Sequence, residues 1–363
     1  MSARARVEAR LPRRPRRGST RRCMTVFERW QARLFRLCDE LRAVTHGALL
    51  EAEHRGSLDS LARPHGVGQG DVTFGLDLPS ETRIEAWQRE LARTEPLSVL
   101  TEDAGWRHLG PDGKDGVRVL PGFDHGGPRI AIDPVDGTRN LMADLRSAWT
   151  VVAFAPPGAA QPRLAECTGG IVSEIPGTLA ARYRRFFSSG MRCWSELWDL
   201  DHGNRLRASE LRVDHDDRAD HGYFPFFRYE PAQRPAIARL EAEFFARVAR
   251  HEGAEMRSIY DDQYISSAGQ LVLLALGRYR MVVDTRELVG RRFQAPGVTS
   301  KPYDLAGAVV CARAAGAIVT AAEGGALDFP IDATTPVGYA GYANQRTRAR
   351  LEPHWLETLA QAS

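Results

Sequence analysis

Two aspartates follow a short apolar run in the segment IAIDPVDGTRN, which spans residues 130–140. Asp133 and Asp136 stand three positions apart, with Pro134 between them and Gly137 behind. Asp-Pro and Asp-Gly pairs are common in turns, so a strand end followed by a tight turn would explain the pattern without any chemistry. The other interpretation is a charged site built from two neighbouring carboxylates. The rest of the sequence has to decide between them.

Acidic residues also follow or open apolar segments at two other places. Glu102 and Asp103 come directly after LSVLT, and Asp304 opens the helical pattern of DLAGAVVCARAAG. Each has an ordinary explanation, because acids are common in solvated loops and as helix N-caps. Three such places in one chain favour convergence on a single site. Carboxylate oxygens are the ligands that hard cations take, and Mg²⁺ combines one or two of them with water and phosphate oxygens. The pattern therefore predicts phosphate chemistry.

The segment DPVDGT could hold a cation and a phosphate side by side. Pro134 stiffens the turn so that both aspartates can face one cavity, and the Val135 carbonyl is freed to serve as a further oxygen ligand. Gly137 allows the backbone to approach closely. If a helix begins near Thr138, the N–H groups of Gly137 and Thr138 point outward and bind a phosphate without a basic side chain.

The elements that must position these residues alternate along the chain. Apolar residues at spacings of three and four predict a long helix over 27–53. Further helices are predicted at 80–94, 236–250, 263–276, 304–315 and 350–360. Strands are predicted at 97–101, 129–132, 148–155, 280–284 and 317–321. Because strands and helices alternate, the fold class is mixed α/β or α+β.

Composition excludes several classes of protein. The 363 residues contain no apolar run near the ~20 residues of a membrane-spanning helix, so we expect no membrane partner. Five scattered cysteines without a CxxC pair indicate neither a zinc site nor a disulfide scaffold, and a cytoplasmic location fits best. The net charge of +3 is the sum of two unlike parts. Nine arginines and one glutamate give residues 1–22 a charge of +8, and the remaining residues carry about −5.

At this point the sequence resembles a family, the inositol monophosphatase-like, Mg²⁺-dependent and lithium-sensitive phosphatases. DPVDGTRN is similar to the family's D-P-[IV]-D-G-T-x-N signature. TEDAG resembles its G-E-E segment, YDLAGAVVCARAAGAIVT resembles its W-D-x-A-A-G…A-G-G segment, and VTFGLD resembles its T-x-x-D stretch. The resemblance spans about residues 27–360 and implies a layered αβαβα sandwich of the inositol monophosphatase/fructose-bisphosphatase type.

The resemblance also implies roles for individual residues. Two or three Mg²⁺ ions would be bound, with Li⁺ as an inhibitor, and Glu102 and Thr138 would position and activate the attacking water. The implied metal ligands are Glu102, Asp133, the Val135 carbonyl, Asp136 and Asp304, with Asp77 near an optional extra metal. Gly137 and Thr138 would bind the phosphate. None of the departures from the family pattern, such as Tyr303 in place of tryptophan, removes one of these ligands.

Substrate choice is less constrained by the sequence. Asp284 falls where the family has a sugar-binding acid, so we predict that it binds substrate hydroxyls; the alternative is a strand-end carboxylate that faces water. The link from Asp284 to Asp304 is about thirteen residues longer than usual. We predict an inositol or sugar/polyol monophosphate as the substrate. An alternative is a bisphosphorylated nucleotide or sugar, of the 3'-phosphoadenosine 5'-phosphate or fructose-1,6-bisphosphate type, with a second anion bound by arginines such as Arg257, Arg286, Arg291 and Arg292.

The predicted organisation has three parts. Residues 1–23 form a disordered Arg-rich tail. Residues 24–195 form an N-terminal α+β part with Glu102 and DPVDGT, and residues 196–363 form a C-terminal α/β part with Asp284 and Asp304. The expected partner is a small-molecule phosphate ester. We expect no nucleic-acid partner apart from non-specific contact by the tail, and a homodimer is left open. A catalytically silent homologue that acts as a binding protein is the alternative of another class.

Overall fold

The computed structural model describes residues 24–56, 61, 64–67, 72–253 and 258–362. The predicted tail, residues 1–23, and Arg257 lie outside the described residues. The helices are α1 (Val26–His54), α2 (Leu78–Ala92), α3 (Thr138–Met142), α4 (Arg234–Glu252), α5 (Ser267–Ala275), α6 (Arg286–Arg292), α7 (Pro302–Ala315) and α8 (Gln345–Gln361). None of these helices combines the length and the apolar character that a membrane crossing requires.

The strands form two main sheets and one short hairpin. They are β1 (Pro64–Val67), β2 (Val72–Phe74), β3 (Leu97–Thr101), β4 (Gly105–Asp112), β5 (Gly116–Val119), β6 (Arg129–Asp136), β7 (Ala148–Ala155), β8 (Gly169–Ile175), β9 (Arg182–Ser189), β10 (Arg192–Asp199), β11 (Arg205–Leu211), β12 (Met281–Asp284), β13 (Ile318–Ala321) and β14 (Tyr339–Tyr342). The large sheet has the order β11-β10-β9-β8-β7-β6-β3-β4-β5, and the small sheet has the order β12-β14-β13. In the large sheet β3 and β6 are parallel, and the other pairs are antiparallel.

Helices and sheets stack in five layers. One core cluster joins α1 and α2 to one face of the large sheet, as Leu34 and Ile84 pack with Ile130 and Phe154. A second cluster places α5 and α7 between the two sheets. A third covers the outer face of the small sheet with α4 and α8, where Phe244 packs near Trp355. The predicted αβαβα sandwich is confirmed.

The predicted elements with strong apolar periodicity are all present, with shifts of a few residues at their ends. The strand over 148–155 is β7 without any shift, whereas the predicted helix over 263–276 is shorter as α5. The predicted boundary between residues 195 and 196 falls inside β10, because β10 and β11 extend the large sheet as far as Leu211. The change from the large sheet to the small one therefore comes after Leu211.

Candidate active site

The parallel pair β3 and β6 brings two acidic segments to one edge of the large sheet. Glu102 directly follows β3, and Asp133 and Asp136 lie at the end of β6. Because the carboxyl ends of parallel neighbours meet at the same edge, these side chains line one cleft. In a regular strand, residues three apart point to opposite faces of the sheet. The register of β6 with β7 shifts between Asp133 and Asp136, and this irregularity at Pro134 lets both aspartates face the cleft.

Asp304 reaches the same cleft from the first turn of α7, the helix between the two sheets. Its two oxygens lie 3.1 Å and 3.0 Å from the backbone nitrogen of Lys301, the N-cap residue of α7. Asp304 is therefore not the N-cap that the ordinary explanation made it; it is the third residue of the helix, and its carboxylate accepts from the N-cap backbone. It lines the cleft beside the other acids. We call Glu102, Asp133, Asp136 and Asp304 the acid cluster.

Neutral donors hold the aspartates of the acid cluster in position. The backbone nitrogen of Val135 donates to Asp133 Oδ1 over 2.8 Å. Asp136 Oδ2 accepts from Ser266 Oγ and from the backbone nitrogen of Ala268, each over 2.7 Å. Both donors belong to the N-terminal end of α5, where Ser266 is the N-cap. These contacts orient each carboxylate without pairing it to a cation, and the nearby positive charge of Arg286 only partly offsets the rise in the pKa of Asp136 and Asp304.

The acid cluster is electrostatically strained. Burial raises the pKa of Asp133 well above its ordinary value, and repulsion from Asp136, Glu102 and Asp304 raises it further. Burial also raises the pKa of Asp304 well above its ordinary range, with Asp136 adding to the effect, and raises the pKa of Asp136 to about 6. A bound cation would relieve this repulsion, since opposite charge favours the ionised form of a carboxyl group.

The donor set fits Mg²⁺ in its chemistry, since it consists of hard carboxylate and carbonyl oxygens. In the described part of the chain, no three His, Cys, Asp or Glu side chains already form a group that could hold a metal ion. The Val135 carbonyl accepts a hydrogen bond from Thr138 Oγ1 over 2.7 Å, and its second lone pair remains for a ligand. The oxygens that could hold a cation here are therefore those of the acid cluster and the Val135 carbonyl.

Gly137 and Thr138 form the turn into α3, as the sequence predicts. Gly137 is left-handed, with φ 96°, and a Cβ there would lie 3.1 Å from Ser266 Cβ, so the position favours glycine. Thr138 Oγ1 lies 3.1 Å from Asp77 Oδ1 as well as 2.7 Å from the Val135 carbonyl. Burial raises the pKa of Asp77 to about 6. All of the predicted site residues except Asp284 line this cleft.

Asp284 lies outside the cleft lining, and its surroundings differ from both expectations. Its side chain is fully buried, so the water-facing alternative is wrong. Arg286 donates from Nε to Asp284 Oδ1 over 2.9 Å and from Nη2 to Asp284 Oδ2 over 2.7 Å, and Ser300 Oγ donates to Oδ2 over 2.8 Å. The geometry disfavours the predicted hydroxyl-binding role, because both carboxylate oxygens already have partners. Arg286 itself lines the cleft.

Several lining residues were not identified from the sequence. Glu81 lies four residues after Asp77 on α2, and this helical spacing was the available signal. Burial raises the pKa of Glu81 to about 7, and the nearby Asp103 adds to the shift. Five other missed residues are cationic or aromatic, namely Phe74, Arg139, Phe227, Tyr229 and Lys301, and neutral residues from 265–267 and 298–300 complete this part of the lining.

Comparisons with known proteins support the fold. A scan of the sequence against protein-family models finds no match, and no curated protein matches it. Among solved structures, Leishmania major fructose-1,6-bisphosphatase is similar over 93% of this chain and 99% of that chain, with a TM-score of 0.62 and 12% identity. The SuhB extragenic suppressor protein of Bartonella henselae is similar over 89% and 98%, with a TM-score of 0.55 and 16% identity. A Thermotoga maritima inositol monophosphatase covers 92% and 100%, with a TM-score of 0.54 and 17% identity.

Proposed function

We propose that this chain, which has the fold of inositol monophosphatases and fructose-1,6-bisphosphatases, is a Mg²⁺-dependent phosphomonoesterase that hydrolyses a small phosphorylated metabolite. The observation that carries the proposal is the acid cluster, in which four carboxylates from three separate elements meet in one cleft. Their repulsion has no benefit for folding and is relieved by a divalent cation. The structural neighbours named above include phosphatases, which is consistent with this use of the cleft.

Different residues of the chain would bind the cation and the phosphate. Glu102, Asp133, Asp136 and Asp304 would hold Mg²⁺, with the Val135 carbonyl as a further ligand and Asp77 beside an additional ion. When bound, the cation would make a water molecule more acidic and stabilise charge on phosphoryl oxygens. The backbone N–H groups of Gly137 and Thr138 would bind the phosphate.

Glu102 and Thr138 would position the attacking water and interact with its protons. Because the Thr138 hydroxyl has one hydrogen and two acceptors within reach, Asp77 and the Val135 carbonyl, it can accept a hydrogen bond from water while it donates to either. The attacking water would pass a proton to Glu102 as its oxygen forms the new bond to phosphorus and the ester P–O bond breaks in line. The leaving oxygen takes a proton from solvent, and no covalent enzyme intermediate forms.

The substrate prediction remains an inositol or sugar/polyol monophosphate, with the bisphosphatase types as the alternative. Inhibition by Li⁺, a cytoplasmic location and a homodimer also stay predictions. Arg291 and Arg292 pair with Glu323 and do not line the cleft, which leaves Arg286 as the one described residue of the four arginines that does.

Phosphate release from a panel of inositol, sugar, nucleotide and histidinol phosphates, with Mg²⁺ and with a chelator, tests the proposal. We expect Mg²⁺-dependent release from at least one ester and none with the chelator. Release that is unaffected by the chelator would contradict the role of the acid cluster. Binding of an ester without any release, at every Mg²⁺ concentration tried, would support the silent homologue instead.

A further inference from the structure

Two histidines and a serine meet away from the cleft, in the hairpin formed by β3 and β4. Glu102 lies in the turn of this hairpin, and Ser98 and His108 form a cross-strand pair toward its other end. The Ser98 hydroxyl lies 2.7 Å from His108 Nδ1 and 2.7 Å from Nε2 of His125, which belongs to the connection between β5 and β6. Ser98 is fully buried, so its hydroxyl depends on these protein partners.

The hydrogen bonds fix the position of each hydrogen in this group. The backbone N–H of Gly127 donates to His125 Nδ1 over 3.0 Å, so Nδ1 carries no hydrogen. The neutral imidazole then carries its hydrogen on Nε2, which donates to Ser98 Oγ. Ser98 donates in turn to His108 Nδ1, because within the described residues its hydroxyl has no other acceptor at hydrogen-bond distance. We call Ser98, His108, His125 and Gly127 the histidine latch.

A proton added to either imidazole is incompatible with this chain of hydrogen bonds. A proton on His108 Nδ1 turns that atom into a donor and leaves the hydrogen of Ser98 without an acceptor. A proton on His125 Nδ1 opposes the backbone N–H of Gly127. Each change leaves a donor unsatisfied, which costs free energy. The closed latch therefore requires both imidazoles to be neutral.

The surroundings of the histidine latch favour the neutral imidazoles. Burial lowers the pKa of His108 and of His125, and positive charge on His125 lowers the pKa of His108 further. Asp124 favours the charged form of His125, and no other charged side chain of the described residues shifts either pKa. Arg107, next to His108 in β4, points to the opposite face of the sheet, because side chains alternate along a strand. The ring of Phe123 packs edge-on against that of His108, with 4.5 Å between the ring centres.

The histidine latch fastens the segment 121–128 to the start of β3. This segment contains no helix or strand. The backbone N–H of Ser98 donates to the Pro128 carbonyl over 2.9 Å, and a Cβ on Gly127 would lie 1.8 Å from the Pro96 carbonyl oxygen, so the two backbones are in contact. The strand β6, which carries two members of the acid cluster, begins directly after the segment. The latch therefore holds together the starts of the two parallel strands that lead to the cleft.

We propose that the histidine latch is a pH-sensitive switch that holds the segment 121–128 closed at neutral pH and releases it in mild acid. The open form takes up protons more readily than the closed form, so opening is favoured as the pH falls below the ordinary imidazole pKa of about 6.5. The buried carboxyl groups of Asp77 and Glu81 act in the opposite direction, because their raised pKa makes the fold more stable at low pH. A local measurement separates the two effects. The proposal does not depend on phosphatase activity.

Amide hydrogen exchange of the full chain, followed by mass spectrometry of peptides within 121–128, tests the proposal at about pH 7.5 and about pH 5. Protection is expressed relative to the intrinsic exchange rate at each pH. We expect the protection of this segment to fall at least about tenfold in acid, since each histidine that gains a proton on opening contributes a factor of about this size. Peptides from the fully buried strand β7 should keep their protection.

Three variants connect this response to the histidine latch. His108→Asn and His125→Gln together make a latch that cannot titrate, because the amide oxygen replaces the Nδ1 acceptor and the amide nitrogen replaces the Nε2 donor. This double variant should stay protected at both pH values. Ser98→Ala removes the shared hydroxyl and should leave the segment open already at pH 7.5. His202→Gln, which replaces an exposed histidine paired with Asp199, is the matched control and should keep the full response.

The wild type decides the proposal even if a variant fails to fold. Equal protection of the segment 121–128 at the two pH values in the wild type would overturn it. A full response in the double variant or in Ser98→Ala, with a native circular dichroism spectrum, would overturn it as well, because other groups would then be responsible. Loss of protection in acid throughout the chain, β7 included, would show global unfolding in place of a local switch.

Discussion

Two aspartates that look alike in sequence have opposite surroundings in the structure. Asp136 and Asp284 each end an apolar strand, β6 and β12 respectively, and both are buried. Asp136 lines the cleft and accepts hydrogen bonds from the neutral groups of Ser266 and Ala268. Asp284 is bonded in a bidentate manner to Arg286. Neutral donors orient a carboxylate and keep its charge available, whereas an arginine orients it and cancels that charge.

The residues that follow each aspartate decide the difference. After Asp136 the chain enters a left-handed turn at Gly137, which carries the backbone away from the carboxylate. After Asp284 the backbone N–H of Arg286 turns back to Asp284 Oδ1 over 3.1 Å, and the Arg286 side chain follows it. A strand-end acid is therefore available for a cation only when its neighbours in sequence do not supply the counter-charge.

The largest expected effect comes from replacing Asp136, the aspartate that lines the cleft. Asp136→Asn should lower phosphate release at least about a thousandfold, because a cation in the site is expected to contribute several kcal/mol to the transition state. The asparagine oxygen can still accept from Ser266 and Ala268, so the fold should persist. Steady-state kinetics beside circular dichroism measures both. Asp328→Asn, which removes an exposed acid paired with Arg163, is the control and should be fully active. Near-normal turnover by Asp136→Asn would refute the assignment.

Disrupting the ion pair between Asp284 and Arg286 should lower the free energy of unfolding. Arg286→Met leaves a buried carboxylate without its counter-charge, and we expect the free energy of unfolding to fall by about 3–5 kcal/mol. The double variant Asp284→Asn/Arg286→Met should recover most of that loss. Denaturant unfolding of both variants makes the comparison, with Arg291→Met as a surface reference expected to cost less than about 1 kcal/mol. Equal stability of the single and double variants would show that the pair has no coupling.

A smaller effect is expected in the pH dependence of the stability of the protein when no cation is bound. Folding raises the pKa of Glu81 to about 7 and of Asp77 to about 6, because burial disfavours their charged forms. The folded state then binds more protons than the unfolded state, so stability falls as pH rises through these values. We expect a lower melting temperature at pH 8 than at pH 5.5. Glu81→Gln should reduce the corresponding difference in the free energy of unfolding by about 2 kcal/mol. An unchanged difference in that variant would mean that Glu81 is not the titrating group.

The sequence was most informative where a rule links neighbouring residues. DPVDGT predicted the two aspartates, the turn at Gly137 and the start of α3, because proline and glycine restrict the backbone locally. The polar strands β9, β10 and β11 were missed, since β11, with RLRASEL, is largely exposed and lacks an apolar run. An edge strand of this kind depends on its partner in the sheet more than on its own composition.

The position of Arg286 at the cleft was also beyond the sequence. Arg286 was one of four arginines considered for a second anion, and nothing in their spacing separates them. Their different roles follow from tertiary contacts: Asp284 and Phe227 fix Arg286 at the cleft, while Glu323 holds Arg291 and Arg292 at the surface. Phe227 comes from a segment nearly sixty residues earlier, so no local pattern could predict the contact.

The central claim is that Asp136, and not the Asp284–Arg286 pair, holds the cation. Calorimetric titration of Mg²⁺ into the wild-type protein, Asp136→Asn and Asp284→Asn/Arg286→Met tests it without any substrate. We predict that the double variant binds Mg²⁺ as the wild type does, and that Asp136→Asn loses at least about tenfold in affinity because a ligand has lost its charge. Wild-type affinity in Asp136→Asn, or loss of Mg²⁺ binding in a folded double variant, would contradict the account.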